Sequence, residues 1–351
     1  MPDAKKTAAP IRRNDERDHV FVLLQPSPTL DLKPTQCSTH TYIQMFKRTE
    51  ELMEQLQNES ESRIGNLFQI GKKMSASHLE RFKKFERLPP KQASLIFGGA
   101  ALRAADFSEK EQKFAQTNLR LVSGLYGVLR PYDDVKPVRD LPMSADLATK
   151  RGSTILEFWS DNITRQVVRD AAAVAGSSSL LLVCCLTDDY LKAIQTDLLS
   201  SSTQLVQCVF KGGSEENAAQ GRAAMTGFII RNKPKSIQAL KEFFDDSWTL
   251  DKRASTESEV VFKHAGDPDD SDTGRGKERK PKKNSKKDKE KNKKDKKGKR
   301  EQRTSTSGSE SASPGPAAKR KRSQSASGRK MGREKESTVQ SNRKKRTSSE
   351  S

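Results

Sequence analysis

Export and metal-holding chemistry have little to draw on in this chain. It has four cysteines, Cys37, Cys184, Cys185 and Cys208, and no Cys-x-x-Cys pair. Its four histidines, His19, His40, His78 and His264, stand apart from one another and from the cysteines. That scatter argues against a structural zinc site, so no metal and no cofactor is expected. The opening Met1-Pro2-Asp3-Ala4-Lys5-Lys6 lacks the apolar stretch of a secretory signal, and the expectation is of free thiols in a reducing compartment. No apolar run approaches the roughly 18–20 residues that cross a bilayer, so no membrane partner is expected. No Walker or Gly-x-Gly-x-x-Gly pattern occurs, and the pairs Gly98-Gly99 and Gly212-Gly213 do not make a phosphate-cradling loop.

Apolar residues are scarce as well, at 32% of 351 residues, against about 45–50% in ordinary globular chains. The shortage is local. From Gly266 to Ser351 there is no aromatic residue, no leucine and no isoleucine, and 29 basic residues face 13 acidic ones, a net of +16. The rest holds 37 basic and 33 acidic residues, a net of +4 out of the chain's +20. Three parts are therefore expected: a polar, disordered stretch over 1–18, a globular domain over 19–265, and a basic tail over 266–351 that cannot bury enough apolar surface to fold alone.

Within the globular part, Val20–Leu24 reads as a strand stopped by Pro26 and Pro28. The spacing predicts a helix over 42–56, two short helices over 63–73 and 77–86, and a strand over Ala93–Phe97. Ser108-x-x-Glu111 is a capping-box pattern, and the helix it opens is expected to reach about Val122. One helix is expected over 155–175, closing at Gly176. Leu180–Leu186 and Leu205–Phe210 read as strands buried on both faces. Helices at about 216–231 and 236–245 and short strands at Trp248–Leu250 and Val260–Phe262 complete the pattern. Strands mixed with helices throughout predict an α/β domain of the mixed α+β kind, a central mixed sheet flanked by helices.

One segment is distinctive: Leu119-Arg120-Leu121-Val122-Ser123-Gly124-Leu125-Tyr126-Gly127-Val128-Leu129-Arg130-Pro131-Tyr132-Asp133. It resembles the Ser-Gly-Leu-Tyr-Gly-x-Leu-Arg-Pro-x-Asp core of the YaaA peroxide-stress family. Lys136–Arg139, Glu157–Thr164, Thr187–Lys192, Phe228–Asn232 and Val260–Lys263 resemble further family elements in the same order. The resemblance implies protection against hydrogen peroxide, linked to iron and to DNA binding, on a mixed α/β body with a basic cleft. It also implies a helix-hairpin-helix-like element, which would fall on Ile64–Phe85 with Lys72, Lys73 and Arg81. Some family positions differ. Pro28 stands where the family has lysine, Phe97–Leu102 lacks its lysine, aspartate and tyrosine, Cys184 replaces an asparagine, and of a basic run only Arg222 is retained.

Several groups admit two readings. Arg130, Asp133 and Arg139 either line an anion-binding cleft or, for the first two, form an ion pair that fixes the turn after Pro131. Tyr126, between Gly124 and Gly127, either stacks on a base or packs in the core. Asp188, Asp189, Tyr190 and Lys192 sit at a strand end, where the carboxylates either hold a metal or act as a base, or else cap the next helix. Cys184 and Cys185 point to opposite faces of a strand and are expected to be buried and inert, with a redox role as the alternative. In the tail, Lys319-Arg320-Lys321-Arg322 and Arg343–Arg346 attract polyanions and also resemble nuclear-import signals.

The function expected is that of a stress-response protein contacting nucleic acid without sequence preference, duplex DNA foremost and RNA also. An import receptor is a further partner, with a cytoplasmic or nuclear location. The anion-binding set is Arg130, Asp133, Arg139, Arg222, Lys72, Lys73, Arg81, Lys192 and Lys319–Arg322. The alternatives are an enzyme using an Arg/Asp-lined cleft and a non-catalytic scaffold with a targeting tail.

Overall fold

Nine strands organise the described residues: β1 (His19–Leu24), β2 (Lys91–Gln92), β3 (Leu119–Ser123), β4 (Gly127–Leu129), β5 (Asp134–Val135), β6 (Leu180–Cys185), β7 (Thr203–Lys211), β8 (Trp248–Leu250) and β9 (Glu259–His264). The structure is a computed structural model that describes residues 16–33, 39–99, 102 and 107–266. The stretches expected to be disordered, 1–15 of the first and 267–351 of the tail, lie outside the described residues, as does Cys37.

Seven strands form one sheet in the order β4-β3-β1-β6-β7-β9-β8, and β2 pairs with β5 separately. The five inner strands run parallel. Antiparallel β4 and β8 close the two edges. Alternation splits the apolar residues of the inner strands between two cores. Phe21, Leu23, Leu180, Leu182 and Cys184 face one side. Val20, Val22, Leu24, Leu181, Val183, Cys185, Val206 and Cys208 face the other. A parallel sheet covered on both faces reads in sequence as unbroken apolar runs, and β1 and β6 are such runs.

The helices are α1 (Phe46–Asn58), α2 (Glu61–Phe68), α3 (Lys72–Lys83), α4 (Ala93–Phe97), α5 (Glu109–Asn118), α6 (Ile155–Trp159), α7 (Asn162–Ala175), α8 (Asp188–Leu191), α9 (Glu215–Asn232) and α10 (Ile237–Leu240). The first core is covered by α1, α2, α3, α6 and α7, the second by α5, α9 and α10. The helix pair expected within 63–86 is present. Ser60 caps α2 through the Arg63 amide, Gln69 ends it in the left-handed region (φ 50°), and Phe68 stacks on Phe82 with ring centroids 5.6 Å apart.

Four sequence-based expectations fail, the first two for a tertiary reason. Ala93–Phe97 is helical rather than extended. The free edge beside β3 is taken by β4, and the Ala93 and Ser94 amides bond to the Asp133 and Pro131 carbonyls instead of a ladder. The capping box of Ser108 and Glu111 forms, but α5 stops at Asn118 because Leu119–Ser123 joins the sheet beside β1. The single helix of 155–175 is two helices, broken where Ser160 takes φ 50°. The expected helix at 236–245 is only the single turn α10.

The β3–β4 hairpin is built on its glycines. A Cβ on Gly124 would lie 2.0 Å from the Leu141 carbonyl oxygen. Gly127 has φ +75°, and a Cβ there would lie 2.7 Å from Met45 Sδ and 2.8 Å from the Trp159 ring. Tyr126 between them is a core residue, fully buried, with its hydroxyl donating to the Lys136 carbonyl at 3.0 Å. Gly127→Ala is expected to lower stability by about 2 kcal/mol, from left-handed strain and overpacking together. A denaturant midpoint within error of wild type would refute that assignment.

Candidate functional site

In the sheet the chain moves outward from β1 to β3 and then returns to place β6 on the other side of β1. Sheets of this doubly wound kind bind ligands where that reversal leaves a crevice beyond the carboxyl ends of the strands. Here the crevice lies between the segment leaving β1, Gln25–Pro28, and the segment leaving β6, Leu186–Tyr190. The two are tied by the Thr187 amide, which donates to Gln25 Oε1 at 3.0 Å. A cavity of about 550 Å³ opens at this point, lined in part by Gln25, Arg63, Arg139, Asp140, Tyr190 and Glu215.

Asp140 forms its floor. The buried carboxylate accepts from the Ser123 hydroxyl, from the Leu125 amide at 3.2 Å, from the Gly124 amide at 3.3 Å and from the Tyr190 hydroxyl at 3.2 Å. Burial pushes its pKa up to about 6 against the pull of these four donors. Burial likewise raises Tyr190 well above the usual phenol range. Arg139, half-buried, donates to the Pro28 carbonyl at 3.2 Å and makes no ion pair among the described residues. Burial lowers its pKa, the penalty of holding a desolvated cation without a carboxylate in contact. Arg222, 5% exposed on α9, pairs with Glu215 in the first turn of the same helix.

The structure thus brings two of the sequence-selected arginines, Arg139 and Arg222, within electrostatic reach of Tyr190. Arg130 and Asp133 lie elsewhere and lock their turn. Asp133 is fully buried and accepts from Arg130 Nε at 3.1 Å, Arg130 Nη2 at 2.9 Å, the Arg130 amide at 2.8 Å and the Thr41 hydroxyl at 2.7 Å. Lys192 pairs with Asp189 at 3.0 Å at the cleft rim. Lys72 and Lys73 are exposed at the start of α3, whereas the Arg81 guanidinium turns to the Pro137 carbonyl. Lys319–Arg322 lie outside the described residues. The aspartates after β6 do not cap α8. Thr187 holds that position without a side-chain bond, and Asp188 accepts from Gln207 at 3.1 Å.

Sequence reasoning missed Asp140, Arg63 and Glu215. Asp140 follows Arg139 directly, but three of its donors lie 15 to 17 positions back in the chain and the fourth lies 50 ahead, separations with no periodic signature. The cleft is not strongly basic. Arg63 and Arg139 line it with Asp140, Asp146, Asp189 and Glu215. No group of three or more His, Cys, Asp or Glu side chains among the described residues is placed to hold a metal ion.

Residues 20–254 match the family described as peroxide stress protein YaaA. The chain belongs to that family. It is also similar to a UPF0246 protein of Cupriavidus metallidurans, 29% identical over 259 residues that cover 70% of this chain and 98% of the relative. The segment most typical of the YaaA family, Ser123–Asp133, proves to be a hairpin followed by a locked turn. Its Ser123-Gly124-Leu125 corner supplies three of the four donors to Asp140.

The raised Asp140 pKa fixes the sign of a pH effect. The folded protein holds this proton up to about pH 6, whereas an unfolded aspartate releases it near 3.8. The folded state therefore binds more protons between those values, and the stability from this group falls as pH rises through them. Relative to Asp140→Asn, wild-type stability is expected to fall by about 2–3 kcal/mol from pH 4 to pH 6.5 and then stay level. Parallel denaturation curves for the two proteins across that range check it. A difference independent of pH would contradict the assignment.

Proposed function

We propose that this member of the peroxide-stress family protects cells by binding nucleic acid, duplex DNA foremost, and so limits the damage that peroxide and iron do to it. The observation that carries the reading is the separation of charge, with +16 of the net +20 in the last 86 residues. A lysine-rich segment with no aromatic side chain supplies backbone affinity without base readout. On the globular part, Lys72 and Lys73 at the exposed start of α3 and Arg139 in the cleft make no ion pair among the described residues and support the reading. The helix pair α2–α3 would act as the helix-hairpin-helix-like element. The clusters Lys319–Arg322 and Arg343–Arg346 would engage an import receptor and carry the protein to the nucleus.

The test is a titration of the full chain with duplexes of unrelated sequence and with an RNA of the same length, over a series of salt concentrations. Equal affinities for all duplexes and a steep loss with salt are expected. No binding to any of them in low salt overturns the reading.

A second reading is favoured by one observation, the desolvated Arg139 beside Asp140 and Tyr190 in a crevice of the kind that holds ligands in doubly wound sheets. Here the protein is an enzyme that places an anionic group on Arg139. Arg139→Ala separates the two. Unchanged DNA affinity together with loss of peroxide protection favours the enzyme, and a joint loss favours nucleic-acid binding.

A further inference from the structure

Three cysteines sit in the two central strands, and the sheet register sorts them. Cys184 on β6 stands opposite Gln207 on β7, so the next rung pairs Cys185 with Cys208. Alternation turns Cys185 and Cys208 toward the α9 core and Cys184 toward the opposite core. Neighbouring strands run about 4.8 Å apart, inside the roughly 4.4–6.8 Å between Cα atoms that a disulfide bridges. The register sets the two side chains side by side on one face of adjacent strands, and both are buried.

The surroundings distinguish the two faces. On the α9 side, the bond from Cys208 and the nearby charge of Arg222 draw Cys185 toward the thiolate despite burial. On the other side, burial raises Cys184, and the neighbouring Cys185 adds to the effect. Cys185 is also the last residue of β6. Its carbonyl accepts from the Gln25 amide at 3.2 Å, and the chain then enters the cleft segment Leu186–Tyr190. Two thiols on one face of adjacent strands, one of them at a strand end beside a cleft, are placed to act as an attacking sulfur and its resolving partner once that strand end opens.

We propose that Cys185 and Cys208 form a dithiol that a hydroperoxide oxidises to a disulfide across β6 and β7. The Cys185 sulfur attacks one peroxide oxygen and the O–O bond breaks. With hydrogen peroxide the products are a sulfenic acid on Cys185 and one water. The Cys208 sulfur then displaces that hydroxyl as a second water, and the S–S bond forms. Two thiols are oxidised by two electrons, and one hydrogen peroxide is reduced to two waters. Reduction by an external thiol restores the pair. Both sulfurs are covered, so opening of the cleft segment after β6 sets the rate. The inference goes beyond the nucleic-acid reading and does not depend on it, because the salt titration above tests that reading alone.

The experiment exposes the full native chain to hydrogen peroxide, blocks remaining thiols under denaturing conditions and maps the peptides by mass. Cys184→Ala is run beside wild type, because Cys184 and Cys185 share a peptide. Both proteins are expected to lose two thiols together and to yield a Cys185–Cys208 linked peptide that dithiothreitol reverses. Cys208→Ser is expected to accumulate a dimedone-trapped sulfenic acid at Cys185 and no linked peptide. The proposal is overturned if wild type keeps all its thiols under peroxide that fully oxidises N-acetylcysteine, or if the linkage that forms involves Cys37 or Cys184. Fragmentation of the linked wild-type peptide between Cys184 and Cys185 assigns the bond, so the wild-type arm decides the matter even where a variant fails to fold.

Discussion

Replacing Arg130 with alanine should lower the unfolding free energy by about 3–5 kcal/mol, a large part of the roughly 5–15 kcal/mol that holds a domain together. The reason is the partner it leaves behind. Asp133 has no exposed surface, and two of its four hydrogen bonds come from the Arg130 guanidinium. Without that guanidinium, a buried carboxylate keeps only the Arg130 amide and the Thr41 hydroxyl. The same turn anchors β5 and α4, through the Asp134 amide on the Thr41 carbonyl and the Ala93 amide on the Asp133 carbonyl. Arg130→Lys is expected to recover little, because an ammonium does not reproduce the forked pair of N–H bonds. The chain has two tryptophans, Trp159 and Trp248, and both are buried, so fluorescence in urea reports the loss directly. A loss below about 1 kcal/mol would show that the ion pair does not lock the turn. DNA affinity of the folded Arg130→Ala protein, measured at low temperature, is expected to match wild type.

Deleting Gly266–Ser351 should have the other large effect, on binding rather than on stability. Neutralising about six phosphates costs a protein roughly a thousandfold in affinity between 50 and 200 mM salt. The full chain is expected to show a loss of that size, with log affinity falling by about 0.9 per phosphate for each tenfold rise in salt. The truncated chain keeps a net of only +4 and a cleft in which carboxylates outnumber cations. Its affinity in low salt is expected to fall by about a thousandfold and its salt slope to flatten to a third or less. Its unfolding midpoint should stay where it was, since the deleted residues include no aromatic, leucine or isoleucine to complete the core. An unchanged slope would mean that the phosphates are met by the globular part, and the tail would lose its assigned role.

The sequence was informative wherever a segment's fate depends on its own residues. β1 and β6 are unbroken apolar runs that stay buried whichever strands flank them. The capping box at Ser108 and the end of a helix at Gly176 are local hydrogen-bonding and backbone preferences. The reading failed where a neighbour decided. Ala93–Phe97 is as apolar as a strand, yet no free sheet edge remained beside β3. Leu119–Ser123 continues a good helix start, yet it had β1 to pair with.

The candidate site divides along the same line. Arg139, Arg222 and Tyr190 stand out in the sequence as chemistry-bearing residues, and so does the hairpin Ser123–Leu129. That the hairpin's amides converge on Asp140 follows only from the folded chain. The pairing of Cys185 with Cys208 rests on the register of two strands. Composition by itself placed most of the net charge in the last 86 residues and the large apolar side chains in the rest, because charge and apolar content are sums over residues. Which side chains meet was left to the tertiary structure, because hydrogen bonds and thiol contacts act over a few ångströms, and only packing brings distant residues that close.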